Sequence, residues 1–308
     1  MPLQPENPMN WAITVGQLKA LKQEVIKNYK DKNPQNWSFY DLNTHFLKPF
    51  LTKPECRMGA GKECGYAVAI NGDSPKTANR MISHAWGENF FEFVDTMAEN
   101  FPDTEAIWVC TFALHQTDDQ DIIARQVGTA APSSSPFAKV IEATKKTTIF
   151  VSCGGLAYGS EGSVTKKVTG NVWSRLWCVY ELFYSAQQNA EINMICSPVL
   201  TNPTHLPTDT NKFRTRAFVT KSGKSVAVGP VELSQMLHKT LIDKIDTANA
   251  GCSDANDKTN IDDEIKRSGG FAKVDQIAHD VRLGAIRSLF ASSTGGSKDF
   301  YRGVLDKL

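Results

Sequence analysis

Apolar positions recur at helical spacing through the first part of the chain. Val15, Leu18, Leu21, Val25 and Ile26 form one face, and Thr14-Val15-Gly16-Gln17 has the T-x-x-Q form of a capping box. This pattern predicts an amphipathic helix to about Lys30. A second, short helix is expected from 38 to 48, stopped by Pro49. From Lys76 the rhythm changes to short apolar runs alternating with helical stretches. Strands are predicted over 80–83, 106–112, 147–153 and 191–197, with helices over 90–101, 137–146 and 174–189, the last capped by Ser174. The strands lack strict alternation, so they read as buried on both faces. Such strands, separated by helices, indicate βαβ units and a parallel sheet. The expected fold is α/β, a flavodoxin-like doubly wound parallel sheet, with ligands outside the carboxyl ends of the strands. Residues 198–210 read as a Pro- and Thr-rich connection, and 211–308 as mainly helical with a hairpin around Lys221-Ser222-Gly223-Lys224. Three regions follow: a helical N-terminal extension (1–75), an α/β domain (76–200) and a mainly helical C-terminal extension (201–308).

Composition narrows the function classes. Apolar residues make up 41% and charged residues 22% of 308, ordinary globular usage. A formal net charge of +1 gives no basic surplus for a nucleic acid or an anionic membrane. No apolar run approaches the ~18 residues that span a bilayer, and residues 1–10 lack the apolar stretch of a secretory signal. The seven cysteines (Cys56, Cys64, Cys110, Cys153, Cys178, Cys196 and Cys252) show neither paired nor zinc-ligand spacing, and several lie inside apolar runs. A reducing, cytoplasmic setting without a metal or other cofactor, membrane span or nucleic-acid partner is expected. Gly61-Lys62 is followed by Glu63, which fails the phosphate-binding loop pattern. Residues 253–263 lack the Gly and terminal Glu of a calcium loop and read as a solvated loop.

One segment carries suggestive chemistry. Residues 173–185, WSRLWCVYELFYS, contain only two charges, Arg175 and Glu181. A helix apolar nearly all round is buried, and a carboxylate at its centre is expensive unless paired. Trp177, Cys178 and Glu181 share one face by helical spacing. Two readings stand at this point: a structural ion pair with another element, or a functional acid in a cleft.

Ser174-Arg175-Leu176-Trp177-Cys178-Val179-Tyr180-Glu181-Leu182 resembles the S-x-x-W-C-x-x-E-L motif of TIR domains, especially plant-type ones. Met81-Ile82-Ser83-His84-Ala85-Trp86-Gly87-Glu88, an apolar strand ending in Ser and followed by a polar turn, is similar to their first box, and the order of strands and helices agrees. Together with W-x-x-x-F-A-x-x-Q at 108–116, these motifs resemble a divergent TIR-like group of single-celled algae. The resemblance covers about 120 residues. It implies either an enzyme that cleaves NAD at the nicotinamide–ribose bond, an NAD glycohydrolase with NAD as substrate, or a non-catalytic signalling or scaffold module that forms a homo-oligomer or binds another protein. In the enzymes the Glu of this helix is catalytic, which places that role on Glu181. Ser83, His84 and Trp86 after the first strand, Phe112 and His115 after the second, and Trp177 on the helix would line the substrate site. Loop, cap or core roles compete at His84, His115, Trp86 and Phe112. The family's second box, with Arg-Asp and Pro-Gly, has no equivalent here. Asp118-Asp119-Gln120-Asp121 in its place is expected to cap a helix.

Overall fold

A computed structural model describes residues 6–32, 34–52, 64–128, 131–152, 155–158, 164–169, 171–197, 201, 216–219, 225–228 and 230–308. Thr14 caps the first helix as its spacing predicts: its hydroxyl accepts from Gln17 N, and the Gln17 side chain accepts from Thr14 N. In chain order the elements that matter are β1 (Ile13–Thr14), α1 (Val15–Asn28), α2 (Phe39–Leu42), α3 (Tyr66–Asn71), β2 (Arg80–Ser83), α4 (Phe90–Asn100), β3 (Ala106–Trp108), α5 (Cys110–Ala113), α6 (Gln120–Val127), α7 (Pro136–Thr144) and β4 (Lys146–Val151). They continue with a hairpin β5 (Gly155–Tyr158) and β6 (Val164–Thr169), α8 (Leu176–Gln187) and β7 (Glu191–Cys196). A second hairpin, β8 (Arg216–Val219) and β9 (Ser225–Val228), precedes four helices, α9 (Pro230–Ile242), α10 (Ala255–Arg267), α11 (Phe271–Ser292) and α12 (Gly295–Leu305).

The main sheet has the order β1-β3-β2-β4-β7. Its last four strands are parallel, and β1 pairs antiparallel with β3 at the edge. Alternate residues of each strand feed two separate cores, as a pleated strand requires. Met81, Trp108, Ile149, Val151 and Met194 face α7, α8 and α11, whereas Ile82, Ile107, Phe150 and Ile195 face α1, α2 and α4. Helices thus cover both faces of a mostly parallel sheet, an arrangement compatible with a doubly wound α/β fold. No helix among the described residues is long and apolar enough to cross a membrane.

Several expectations need correction. The second strand ends at Trp108 rather than 112: Val109 O accepts from both Phe112 N and Ala113 N, closing a helical turn where pairing with β2 stops. Pro49 does not stop its helix. A π-turn (Asn43–Leu47) intervenes, with Lys48 N bonding to Asn43 O, and the helix resumes over Lys48–Leu51. The wider turn relieves the clash of a proline ring with the carbonyl four residues back. Ser174 does not cap α8; it ends a 3-10 turn that Asn171 caps. Residues 253–263 are not a loop, because Asp254 caps α10 and Ile261 and Ile265 bury one face of it. The arms of the second hairpin are present, while its tip at 221–224, like Gly61-Lys62 and Cys153, lies outside the described residues.

Candidate active site

The carboxyl ends of β2 and β3 meet helix α8 at one point. Ser83 closes β2, His84 to Glu88 form the turn that follows, and Cys110 opens α5 just beyond β3. Helix α8 begins without a side-chain cap. Its start is held by backbone bonds to the C-terminal region instead: Leu176 N to Gly251 O at 3.0 Å and Gly251 N to Ser174 O at 2.8 Å. Further along, Ser185 Oγ donates to Glu181 O at 2.7 Å and lies 2.8 Å from Thr147 Oγ1, which ties the helix to β4.

Glu181 sits on the sheet-facing side of α8 with 4% of its surface exposed. Among the described residues no Lys or Arg forms an ion pair with it. Burial pushes its carboxyl up to about 8. The Ser83 hydroxyl offsets this in part, from just outside good hydrogen-bond geometry. An uncompensated buried acid favours its neutral form because the charged form has lost its water.

The neighbours are neutral as well. The His84 ring packs on Phe39 at 4.1 Å and Phe93 at 5.6 Å, and its Nε2 lies 3.1 Å from Thr111 Oγ1 and 3.6 Å from Cys110 Sγ. Burial lowers the His84 pKa to about 3, against a weak opposing contribution from the Ala85 backbone, so the imidazole is uncharged at neutral pH. Its Nδ1 is buried without a well-placed partner. Cys178 Sγ donates to His84 O at 3.3 Å. Burial, then the nearby Glu181 charge, raises the Cys110 thiol to about 12 and the Cys178 thiol well above its ordinary value. Both therefore stay protonated. A thiol held so is a poor nucleophile.

Glu88 organises the turn. Fully buried, it accepts from Ala85 N at 2.8 Å through Oε2 and from Ser152 N at 2.9 Å through Oε1, joining the end of β2 to the end of β4. Trp86 on the same turn is half-buried, with its side chain against the Cys110 thiol and its ring 5.5 Å from that of Tyr40.

Ser83, His84 and Glu181 thus come together, with Trp86 joined to them through Cys110. Three other sequence-selected residues lie elsewhere. Phe112 is fully buried in an aromatic cluster with Phe39, Tyr66 and Phe90 on the opposite face of the sheet. His115 Nδ1 is 3.0 Å from Cys64 O, and its backbone N donates to Gln126 Oε1. Trp177 stacks on Phe137 at 4.8 Å and donates its indole N–H to Asp257 Oδ2 at 3.0 Å. It lines a small cleft with Val127, Pro132, Ser135 and Asn260 on the outer side of α8. In place of the missing second box, Asp119 caps α6 through bonds from Asp121 N and Ile122 N.

Cys110, Thr111 and Glu88 belong to the cluster and were not selected from the sequence. Cys110 and Thr111 look like core residues inside AIWVCTF, and only the early end of β3 brings them to the rim. Glu88 is the last residue of the S-H-A-W-G-E motif, and its place there was the available signal. No family model, curated protein or solved structure matches the chain. Chemically, the cluster holds two buried carboxyl groups: Glu88, bonded to backbone N–H groups, and Glu181, in a dry setting with no cation beside it among the described residues. A positive partner favours ionisation of Glu181 at neutral pH, so a cationic ligand is the natural complement.

Proposed function

We propose that this protein is a TIR-like enzyme of flavodoxin-like fold that cleaves NAD at the nicotinamide–ribose bond, in a cytoplasmic setting, with Glu181 as the catalytic carboxylate. The single observation that carries the reading is a buried carboxylate with no cation beside it among the described residues, at the carboxyl ends of parallel strands. A structural ion pair was the competing explanation, and no partner for one is present there. The four parallel strands, counted in order of appearance, lie 2-1-3-4 across the sheet. That order places the first and third strands side by side at the reversal point where such sheets bind ligands.

The chemistry asks for one carboxylate. Nicotinamide leaves as a neutral molecule from a cationic pyridinium, taking the electron pair of the breaking C–N bond, and no acid has to protonate it. The ribose carbon left behind is oxocarbenium-like, and an ionised Glu181 stabilises that developing charge. Water then adds to this carbon and releases one proton, giving ADP-ribose; an internal nucleophile would give a cyclic product. Ordinary glycosidases need a second carboxyl group because their leaving group is an alkoxide. The pyridinium itself supplies the cation that the apo site lacks, and its approach favours ionisation of Glu181. Ser83 would accept or donate to the ribose hydroxyls, and His84 would hold the turn as a neutral hydrogen-bonding group. The test is chromatographic detection of nicotinamide from NAD with wild type and Glu181→Gln. Release by the wild type and at least a 100-fold loss in the variant are expected; equal release would reject Glu181.

A second reading is a non-catalytic TIR-like module that self-associates or binds a protein partner. The near-complete burial of Glu181 favours it, since a carboxyl with 4% exposure offers little to a ligand in this conformation. It requires an assembly that survives Glu181→Gln without nicotinamide release, read by sedimentation velocity.

A further inference from the structure

The N-terminal segment places a second aromatic ring beside the site. Ser38 caps α2 with a full capping box, its hydroxyl accepting from Asp41 N and Asp41 accepting from Ser38 N at 2.8 Å, so the first turn is fixed in place. That turn is laced to the β2–α4 turn by backbone bonds, Phe39 N to Glu88 O at 3.2 Å and Tyr40 N to Trp86 O at 3.3 Å. The two neighbours then diverge. Phe39 is fully buried against His84, whereas Tyr40 keeps 46% of its surface exposed and meets Trp86 edge to face. Only two large apolar side chains among the described residues are so exposed, Tyr40 and Val231.

Resting on the NAD reading above, we infer that Tyr40 and Trp86 form an aromatic ledge that receives the pyridinium ring of the substrate. Its position and general physical chemistry both support it. Trp86 shares its turn with His84, whose carbonyl accepts from Cys178 Sγ at 3.3 Å on the helix that carries Glu181, so the ledge adjoins the acid's helix rather than a remote surface. An exposed ring held rigid by its backbone and an adjoining indole offers a face to a planar group without a large ordering loss. A cation between electron-rich rings and a carboxyl is stabilised from both sides. Tyr40 is thereby a specificity residue contributed from outside the 76–200 α/β segment.

Equilibrium dialysis of NAD and of AMP against Glu181→Gln, alone and combined with Tyr40→Ala or Tyr40→Phe, tests this, together with steady-state cleavage of NAD by the wild type and the Tyr40 single variants. Tyr40→Ala is expected to raise the NAD Kd and KM about tenfold, to leave kcat within about twofold, and to leave AMP binding unchanged. Tyr40→Phe should behave as wild type. Cleavage with an unaltered KM in Tyr40→Ala would overturn the ledge and leave the catalytic reading intact. Binding that weakens in Tyr40→Ala without any cleavage by the wild type would uphold the ledge and reject catalysis. A loss confined to AMP assigns adenine to the ledge and overturns the pyridinium assignment, and no binding of NAD at all rejects both proposals.

Discussion

An acid whose proton is held by dry surroundings gives it up in two ways, by a rise in pH or by the arrival of a positive charge. Glu181 has an ordinary value of 4.5 and a folded value of about 8. Between those values the folded chain keeps a proton that the unfolded chain has released. Stability therefore falls as pH rises from about 4.5 through about 8 and levels off above. Glu181→Gln removes that slope. Urea denaturation at pH 5.5 and 8.5 should show the variant gaining on the wild type by roughly 2–4 kcal/mol over the interval, and parallel profiles would contradict the burial argument. For cleavage the same proton works in the opposite sense. The value of kcat/KM for NAD should climb with pH and reach half its plateau near 8, because only the ionised carboxylate stabilises the sugar cation. A pH-independent profile between 6 and 9 would exclude Glu181 as the titrating group.

At the scale of elements, the turns around the site are fixed by few contacts, and each is open to test. Glu88 supplies acceptors to two buried backbone N–H groups, one after β2 and one after β4. Glu88→Ala leaves both donors unsatisfied and should destabilise the fold by roughly 2–4 kcal/mol in chemical denaturation. Gly65, just before α3, is held against α5 so closely that a Cβ there would stand 2.1 Å from Ala113 O. Because that neighbour is backbone, Gly65→Ala should be destabilised by roughly 3 kcal/mol in the same assay, and a neutral effect would mean that α3 and α5 can separate at little expense. Most elements were legible in the sequence because their spacing is unambiguous. The capping box at Thr14, the strand at Arg80–Ser83 and the apolar helix around Glu181 all fall where the pattern puts them. Three strands were invisible. β1 has two residues, too few for any periodicity, and β5 and β6 flank a Gly- and Ser-rich stretch that reads as loop. The site was legible only in part for a related reason. Spacing assigns Trp177 and Glu181 to one helical face, but the indole bends outward to Phe137 and Asp257 whereas the carboxyl lies inward by Ser83.

For the whole molecule, the regions flanking the α/β segment are integral to its layers. β1 borders the sheet, α1 packs on α4, and α11 packs on α8 and β7. Hydrogen bonds from Trp177 to Asp257 and from Tyr180 to Glu264, the latter at 2.6 Å, fasten α8 to α10. A chain ending at residue 250 loses the Gly251 bridge that holds the start of α8, together with α10, α11 and α12. It should show no cooperative thermal transition, whereas an independently stable 76–200 unit would melt much as the full chain does.

The antiparallel edge strand also sets a schedule for synthesis. Ile13 pairs with Ile107, so β1 leaves the ribosome about 90 residues ahead of its partner, roughly 5–20 s at ordinary elongation rates. Until then its apolar side chains and unpaired backbone are open to other nascent chains. β1 is thus made well before it is secured, and slow elongation between it and β3 would lengthen that exposure.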